Sequence, residues 1–291
     1  MRYREPLYRP PSEAYSLLIQ TTYGCPWNRC AFCGMYKGLK YQVRSVVDVK
    51  KDMFEALSIY GPDIETIFFP DGNTIAMPTP RLSEICKYAM QLFPKLKRIT
   101  AYGSAMFVLK KSAGELELLR QSGLKRIHMG MESGHEPTLK MMNKGVSPKQ
   151  IVQAGRMVVS AGFELSEYYL VGLGGNRWWR EHAIESARVL NAIRPRFVRL
   201  RTLYPVPNAP LYSDILEGKF ELCPPHVSLM EIRLFLETLE AETEVLSDHI
   251  SNYVDINGWF PRDKKKLLSR LEQAMNVKEE ELRPKITSPG L

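Results

Sequence analysis

The sequence has no run of about 18 consecutive apolar residues, so it does not predict a membrane-spanning helix. Its first residues, MRYREPLYRPPSEAYSLLIQ, lack the long apolar stretch and the small-residue cleavage site of a secretory signal. From these two absences we expect a cytoplasmic protein.

Cysteine is scarce as well, with 5 among 291 residues, and an odd number does not suit a disulfide framework. Cys25, Cys30 and Cys33 nevertheless stand close together, which is typical of metal ligands in a reducing compartment. Cys86 and Cys223 stand alone, and the apolar helical stretch around Cys86 predicts a core position.

The excess of basic over acidic side chains is modest, because 40 Lys and Arg against 32 Asp and Glu give a formal net charge of +8. Such a charge favours an anionic partner, such as a nucleic acid or a phosphorylated or carboxylated substrate. It is more often simply the charge of a mildly basic soluble enzyme, so the charge alone does not select a function.

Short apolar runs alternate with amphipathic helical stretches from residue 16 to about 204. Ser45 and Ser112 each precede an acid by three positions, and prolines follow Thr79 and Ser147, which marks four helix starts. Six strands separated by helices require parallel pairing, and both a doubly wound open sheet and an incomplete (β/α) barrel fit this pattern. The predicted strands are Ser16–Thr21, Glu65–Phe69, Arg98–Tyr102, Arg126–Met131, Leu165–Val171 and Phe197–Leu203.

Beyond residue 204 the alternation stops. The pattern there predicts one helix from Ser228 to about Leu246 and a second after Asp263, which we expect to flank the core rather than form an independent domain. The predicted organisation is an arm over 1–15, a core over 16–204, a helical extension over 205–275 and a flexible tail over 276–291.

Both candidate architectures place their reactive site where the loops after the parallel strands meet. The loop after the first strand carries Cys25, Cys30 and Cys33. Three thiolates leave a tetrahedral structural zinc one ligand short. A 4Fe–4S cluster held by three cysteines instead keeps one iron open for a substrate or cofactor.

This loop resembles that of the radical S-adenosylmethionine (SAM) superfamily, whose three cysteines follow strand one of a partial (β/α)6 barrel. The family spacing is usually C-x3-C-x2-C with an aromatic residue before the last cysteine. Here the spacing is C-x4-C-x2-C, with Phe32 before Cys33. The resemblance implies an α/β fold, a partial (β/α)6 TIM-like barrel with a C-terminal helical extension, and a cluster bound by Cys25, Cys30 and Cys33.

Segments at later strand ends extend the resemblance over about residues 16–204. Residues 130–134 are similar to the G-x-[EQ]-S-G segment shared with oxygen-independent coproporphyrinogen oxidases and methylthiotransferases. Lys144 occupies the position of a basic residue that pairs with the SAM carboxylate in the oxidases, whereas Tyr168 replaces their aspartate, so ribose recognition is expected to differ. The implied SAM contacts are Phe32, Asp71, Gly72, Asn73, Glu132, Ser133, Lys144, Tyr168 and Leu170.

The resemblance implies an enzyme that reductively cleaves SAM at a 4Fe–4S cluster, generating a 5′-deoxyadenosyl radical that abstracts hydrogen from the substrate. It also implies an external one-electron reductant such as flavodoxin or ferredoxin. Cys86 and Cys223 do not suffice for a second cluster, and the sequence does not identify the substrate. Two other functions remain open, a haem-trafficking or coproporphyrinogen-oxidase-like protein and a basic RNA-binding module with zinc in the cysteine loop.

The last predicted strand carries two arginines on one face. With a period of two, Arg199 and Arg201 share one face, while Val198 and Leu200 share the other, which suits packing against helices. Buried guanidinium groups are costly unless anions neutralise them. We therefore expect both arginines to face the interior, one of them meeting the SAM carboxylate or a protein acid such as Glu167 and the other binding a carboxylate or phosphate of the substrate. Internal salt bridges that only stabilise the barrel are the alternative.

Overall fold

The structure, a computed structural model, describes residues 1–282 and has an α/β fold. The strands are β1 (Leu17–Leu18), β2 (Thr22–Tyr23), β3 (Gln42–Val43), β4 (Thr66–Phe69), β5 (Arg98–Gly103), β6 (Leu124–Glu132), β7 (Glu164–Val171), β8 (Phe197–Thr202), β9 (Thr243–Leu246) and β10 (Gly258–Phe260). The helices are α1 (Val46–Tyr60), α2 (Thr79–Leu92), α3 (Ala105–Val108), α4 (Ala113–Gln121), α5 (Glu136–Met141), α6 (Pro148–Ser160), α7 (Gly175–Ile193), α8 (Pro210–Leu216), α9 (Pro225–Thr238), α10 (Lys264–Met275) and α11 (Glu279–Leu282). Across these described elements, no helix is long and apolar enough to cross a membrane.

The main sheet is mostly parallel and follows the predicted alternation of strand and helix. Its order is β1, β4, β5, β6, β7, β8, β9, β10, while β2 and β3 form a separate hairpin. The pairs β1–β4, β4–β5, β5–β6, β7–β8 and β8–β9 are parallel, and β10 runs antiparallel to β9. The six predicted strands are present as β1 and β4 to β8, and the sheet is open. This confirms the predicted partial barrel.

Side-chain capping explains where several helices begin. Ser45 and Ser147 each accept a backbone amide in the first turn of α1 and α6, and Ser112 forms a complete capping box with Glu115 on α4. Thr79 lies inside α2 instead of capping it, and its hydroxyl donates to Glu115 at 2.7 Å. The predicted helix starts are therefore confirmed, with a shift of one position at α2.

The region after β8 differs from its sequence prediction. The helix predicted from Ser228 to about Leu246 ends at Thr238, and Thr243–Leu246 forms β9 beside β8. The prediction was wrong because Thr243 and Val245 alternate with more exposed neighbours, a period of two that favours a strand with its β-branched residues buried. The extension therefore adds β9 and β10 to the sheet as well as helices.

The predicted tail over 276–291 is described as far as residue 282. His226 of α9 contacts this segment, with its ring 2.8 Å from the Val277 carbonyl and its amide donating to Glu279 at 2.8 Å. Residues 283–291 lie outside the described residues, so the flexibility of the tail stays a prediction.

The chain divides into two compact units. One comprises Met1–Asn28, Gly38–Met129 and Met157–Leu165, and the other comprises Arg29–Lys37, Gly130–Arg156 and the chain from Ser166 onward. Each unit carries part of the predicted site, and the two parts are described separately below.

In the first unit, the N-terminal arm places an acid among the first residues of the strands. Glu13 is fully buried, accepts a hydrogen bond from Ser16 at 2.6 Å and lies 3.4 Å from both Arg98 and His128. Burial raises the pKa of Glu13, but the hydrogen bonds from His128 and Ser16 and the neighbouring positive charges outweigh it and lower the pKa to about 2. The arm is thus held by an ionised carboxylate.

Candidate functional site

In the first unit, the segment after β4 fixes the backbone next to Cys25. Asp71 accepts hydrogen bonds from the Gln20 side chain at 2.9 Å and from the Gly24 amide at 3.3 Å. The Gly72 amide donates to the Gly24 carbonyl at 3.1 Å. Burial raises the pKa of Asp71 to about 6, although the hydrogen bonds from Gln20 and Gly24 lower it in part. Asp71 and Gly72, predicted as cofactor contacts, therefore also order the start of the cysteine loop.

Asn73 presents a buried acceptor beside this segment. It is 1% exposed, and its amide nitrogen donates to the Ser104 hydroxyl at 2.7 Å. In this orientation of the amide, the side-chain oxygen of Asn73 has no hydrogen-bond partner within residues 1–282. A buried acceptor without a donor is unfavourable, so this oxygen suits a ligand that carries an N–H group.

Tyr41 is a neighbour of Cys25 that carries no motif in the sequence. Burial raises the pKa of Tyr41 to about 12, and the charges of Cys25 and Asp71 add to the effect. Its position follows from the β2–β3 hairpin that encloses the cysteine loop, because residues 22–23 pair with residues 42–43. Tyr41 is therefore recognised as a neighbour of Cys25 only once the hairpin is known.

In the second unit, Cys30 and Cys33 lie on one tight turn. The Cys33 amide donates to the Cys30 carbonyl at 3.4 Å, and Lys37 donates to the same carbonyl at 3.3 Å. The Ala31 amide donates to the Met142 carbonyl at 2.9 Å, which ties the turn to the segment after α5. Both cysteines are half-buried, and none of the protein's cysteines, all within the described residues, forms a disulfide.

Glu132 and Lys144 form an ion pair beside this turn. The Lys144 ammonium lies 3.1 Å from the Glu132 carboxylate and 5.7 Å from the centre of the Phe32 ring. Their side chains are 17% and 12% exposed, so the pair is largely shielded from water. Because Phe32 lies between Cys30 and Cys33 in the chain, the pair is next to the predicted cluster ligands.

Gly130 makes room for this pair. A Cβ at Gly130 would lie 2.0 Å from a Glu132 carboxylate oxygen and 3.2 Å from the Lys144 ammonium, so a larger residue would displace both side chains. Ser133, predicted as a cofactor contact, is fully buried, and its hydroxyl accepts the His135 amide at 3.0 Å. Ser133 therefore shapes the turn that follows Glu132.

β7 and β8 bring four of the predicted residues onto one face. Their register pairs Tyr168 with Arg199 and Leu170 with Arg201. Arg199 donates to the Ser166 hydroxyl at 3.2 Å, and the Arg201 guanidinium lies 4.6 Å from the centre of the Tyr168 ring. The arginines therefore share a face with Ser166, Tyr168 and Leu170.

The opposite face of these strands packs against helices. Tyr169, which neighbours Tyr168 in β7, stacks on His182 of α7 and on Phe235 of α9, with ring centres 4.9 Å and 4.4 Å apart. Val198 and Leu200 are 0% and 1% exposed, as expected for residues under helices. The arginine face is thus the one turned away from α7 and α9.

The loop after β9 adds charged neighbours to the arginine face. Asp248 lies 3.6 Å from Arg199, which is 4% exposed. Burial lowers the pKa of His249 to about 4, and the charge of Arg201 contributes, so this imidazole is neutral at physiological pH. Asp248 and His249 carry no motif that marks them in the sequence, because they follow a segment predicted as helix.

Glu167, the acid considered as an ion-pair partner for these arginines, lies opposite Val198 and so on the other face of the sheet. It is fully buried. Burial raises the pKa of Glu167 well above its usual range, and the charge of Glu132 adds to this effect, while Lys144 and the Met131 amide offset only part of it. Burial therefore favours the protonated form of Glu167.

The residues present fit the cofactors that the resemblance implies. Cysteine thiols suit an iron–sulfur cluster, and the turn at Cys30 and Cys33 leaves them half-buried. The buried oxygen of Asn73 suits an ammonium donor, and the ammonium of Lys144 suits a carboxylate. SAM carries an amine and a carboxylate, so each unit by itself offers a side chain with the chemistry that one of these groups requires.

Residues 19–187 match the family model described as the radical SAM superfamily. The chain therefore belongs to this superfamily, whose enzymes use a 4Fe–4S cluster and SAM.

Three curated proteins are similar in sequence. An uncharacterized protein of Methanocaldococcus jannaschii is 23% identical over 72% of this chain, 4′-phospho-dehydrooxetanocin synthase of Priestia megaterium is 27% identical over 52%, and heme chaperone HemW of Bacillus subtilis is 20% identical over 66%. The matches span 62%, 22% and 51% of these relatives, respectively.

Solved structures of radical SAM enzymes have a similar fold. Methylornithine synthase PylB superposes with a TM-score of 0.56 at 17% identity, over 88% of this chain and 68% of that chain. Coproporphyrinogen III oxidase HemN of Escherichia coli has a TM-score of 0.57 at 17% identity, over 76% of this chain and 52% of that chain. The cobalamin-dependent enzyme OxsB has a TM-score of 0.51 at 19% identity, over 90% of this chain and 36% of that chain.

Proposed function

We propose that the protein binds one 4Fe–4S cluster through Cys25, Cys30 and Cys33 and cleaves SAM reductively. The observation that carries the proposal is the shielded Glu132–Lys144 pair beside Phe32. When bound, the reduced cluster would supply the electron that splits SAM into methionine and a 5′-deoxyadenosyl radical for hydrogen abstraction from the substrate.

Side chains of the chain itself supply the contacts to SAM in this proposal. Lys144 pairs with the SAM carboxylate, while Glu132 holds the ammonium of Lys144 in place. Asn73 accepts a hydrogen bond from the SAM amine. The same side chains exclude water from the reacting groups. The proposed cofactor contacts are Phe32, Asp71, Gly72, Asn73, Glu132, Ser133, Lys144, Tyr168 and Leu170.

The proposed substrate carries an anionic group. Arg199 and Arg201 offer planar sets of donors, which suit a carboxylate or a phosphate. Asp248 neutralises part of the charge of Arg199, and the neighbouring His249 is neutral. The low exposure of Arg199 supports a ligand contact rather than a solvated surface role.

The proposal also concerns partners and location. The cluster requires an external one-electron reductant, such as flavodoxin or ferredoxin. We place the protein in the cytoplasm, and five cysteines without a disulfide are consistent with a reducing compartment. The domain limits proposed from the sequence, 16–204 for the core and 205–275 for the extension, are retained.

Iron analysis of anaerobically reconstituted protein tests the cluster ligands. Alanine at Cys25, Cys30 or Cys33 should abolish the cluster, because coordinating thiols cannot be replaced by a methyl group. Cys86→Ala is the matched control and should keep its iron, since Cys86 is fully buried in α2. Roughly four irons retained in the triple variant would contradict the assignment.

The cofactor contact is tested on the same preparations by calorimetry with SAM. Lys144→Ala should keep its iron and lose about 10–150-fold in SAM affinity, because it removes a shielded charge-assisted hydrogen bond. Unchanged affinity would show that Lys144 is not the carboxylate partner.

A haem-trafficking function is the second candidate, favoured by the similarity to heme chaperone HemW. Product analysis distinguishes the two, because a carrier makes no 5′-deoxyadenosine above background when dithionite and SAM are supplied. The proposed enzyme forms it even without substrate, by uncoupled cleavage.

A further inference from the structure

We propose that a buried network of Tyr169, His182 and Glu231 positions the backbone of Glu132 for SAM binding, an inference that rests on the function proposed above. All three side chains are fully buried. They come from β7, α7 and α9, and Glu231 lies outside residues 19–187, the part that matches the superfamily model. The C-terminal extension thereby supplies a positioning residue to the cofactor site.

One carboxylate oxygen of Glu231 makes three contacts. It accepts hydrogen bonds from the Tyr169 hydroxyl at 2.6 Å and from the Gly172 amide at 2.9 Å, and it lies 3.0 Å from Nδ1 of His182. Gly172 follows the last residue of β7 and has a φ of 81°. Glu231 thus holds both the turn at the end of β7 and the Nδ1 side of the His182 imidazole.

The far side of the same imidazole reaches Glu132. Nε2 of His182 lies 3.4 Å from the Glu132 backbone carbonyl. Nε2 therefore faces an oxygen acceptor and donates to it when the imidazole carries its proton there, while Nδ1 faces Glu231 and also lies 3.2 Å from the Tyr169 hydroxyl. The stacked Tyr169 ring, 4.9 Å away, fixes the plane of the imidazole.

Glu132 requires such support because of its backbone. Its φ is 63°, in the left-handed region that a non-glycine residue keeps only where its surroundings hold it. The carbonyl is held by His182, and the carboxylate is held by Lys144. If the carbonyl is released, the residue can relax to a negative φ, and its carboxylate then turns away from Lys144.

Two substitutions of His182 separate this positioning role from general stability. In His182→Gln, the amide nitrogen can occupy the place of Nε2 and still donate to Glu132. In His182→Asn, the amide nitrogen occupies the place of Nδ1, which keeps the contact with Glu231 and loses the one with Glu132. We expect His182→Asn to bind SAM about 10-fold more weakly than His182→Gln, the usual weight of one such hydrogen bond.

The measurement is calorimetry with SAM on anaerobically reconstituted protein, with iron content determined in parallel. Hydrogen exchange provides a second readout, because the backbone around Glu132 should exchange faster in His182→Asn than in His182→Gln. Equal SAM affinities in the two variants would overturn the inference alone. Failure of the unsubstituted protein to bind SAM would overturn the proposed function, and the inference with it.

Glu231→Gln keeps the experiment decisive if His182→Asn does not fold. It weakens the three contacts of this oxygen, because a neutral amide oxygen is a weaker acceptor than a carboxylate oxygen, so SAM affinity should fall about 10-fold with iron retained. Ser122→Ala is the control, since it breaks a buried hydroxyl pair with Ser83 at 2.7 Å in the other unit. Unchanged SAM affinity in Glu231→Gln would also overturn the inference.

Discussion

At the scale of single residues, burial decides what several acids in the strands and loops do. Asp71 has the position of a cofactor contact in the sequence, yet its carboxylate is engaged by Gln20 and the Gly24 amide. Glu167 is indistinguishable in the sequence from an exposed strand acid, but it is completely buried in the fold. The spacing of the motif was enough to locate Asp71, whereas the burial of Glu167 follows only from the packing of the fold.

Glu167→Gln should stabilise the protein at high pH. Burial raises the pKa of Glu167 in the folded state well above the value of about 4.3 expected in the unfolded chain. Above pH ~4.3 the unfolded state loses this proton and the folded state keeps it, so stability falls as pH rises towards the folded pKa. Each unit of difference is worth ~1.4 kcal/mol, and the glutamine variant is spared this loss.

Thermal unfolding of both proteins at pH 5 and pH 8 measures this effect. The variant should gain in melting temperature at pH 8 and gain less at pH 5, where the unfolded carboxyl is closer to its own pKa. A variant that is less stable by the same amount at both pH values would indicate that the ionised carboxylate stabilises the fold.

At the scale of secondary-structure elements, the period of the apolar pattern carried most of the prediction. The six core strands followed from short apolar runs, and Ser45, Ser112 and Ser147 marked helix starts because their side chains satisfy amides in the first turn. β9 was missed because four residues of alternation are too short to distinguish from the end of a helix. Asp248 and His249, which follow β9, were missed with it.

The two faces of β8 were predictable from a period of two, and they lead to a test of the substrate site. Arg199→Lys and Arg201→Lys should keep the iron content and the uncoupled formation of 5′-deoxyadenosine, because neither residue is proposed to contact SAM. Turnover of an anionic substrate should fall, since a lysine cannot present a planar fork of donors. Arg196→Lys is a matched control, because Arg196 is an exposed arginine that directly precedes the same strand.

Competition with small carboxylates and inorganic phosphate provides the readout while the substrate is being sought. Either anion should protect the unsubstituted protein more than the Arg201→Lys variant against thermal unfolding. Equal protection of both proteins would exclude Arg201 as the anion contact.

At the scale of the whole molecule, the superfamily match covers residues 19–187, but the second unit is completed by the residues that follow. α9 packs against α7, and Leu229, Ile232, Phe235 and Leu236 of α9 are fully buried. The sequence predicted that the extension flanks the core, because its helices are amphipathic. It could not predict that Glu231 reaches the turn after β7, since that contact depends on how the helices are placed.

A chain that ends at residue 204 should therefore fail to fold. Each buried apolar side chain of α9 contributes about 1.5–3 kcal/mol, so losing four of them removes most of a typical stability of about 5–15 kcal/mol.

Phe235→Ala is a milder test of the same packing and should lower the free energy of unfolding by about 3–5 kcal/mol, because Phe235 fills the space over Tyr169. Met230→Ala, at a position 38% exposed on the same helix, should cost far less. Solubility and denaturant unfolding measure these effects, and a soluble chain of 204 residues that unfolds cooperatively would show that the core is an independent domain.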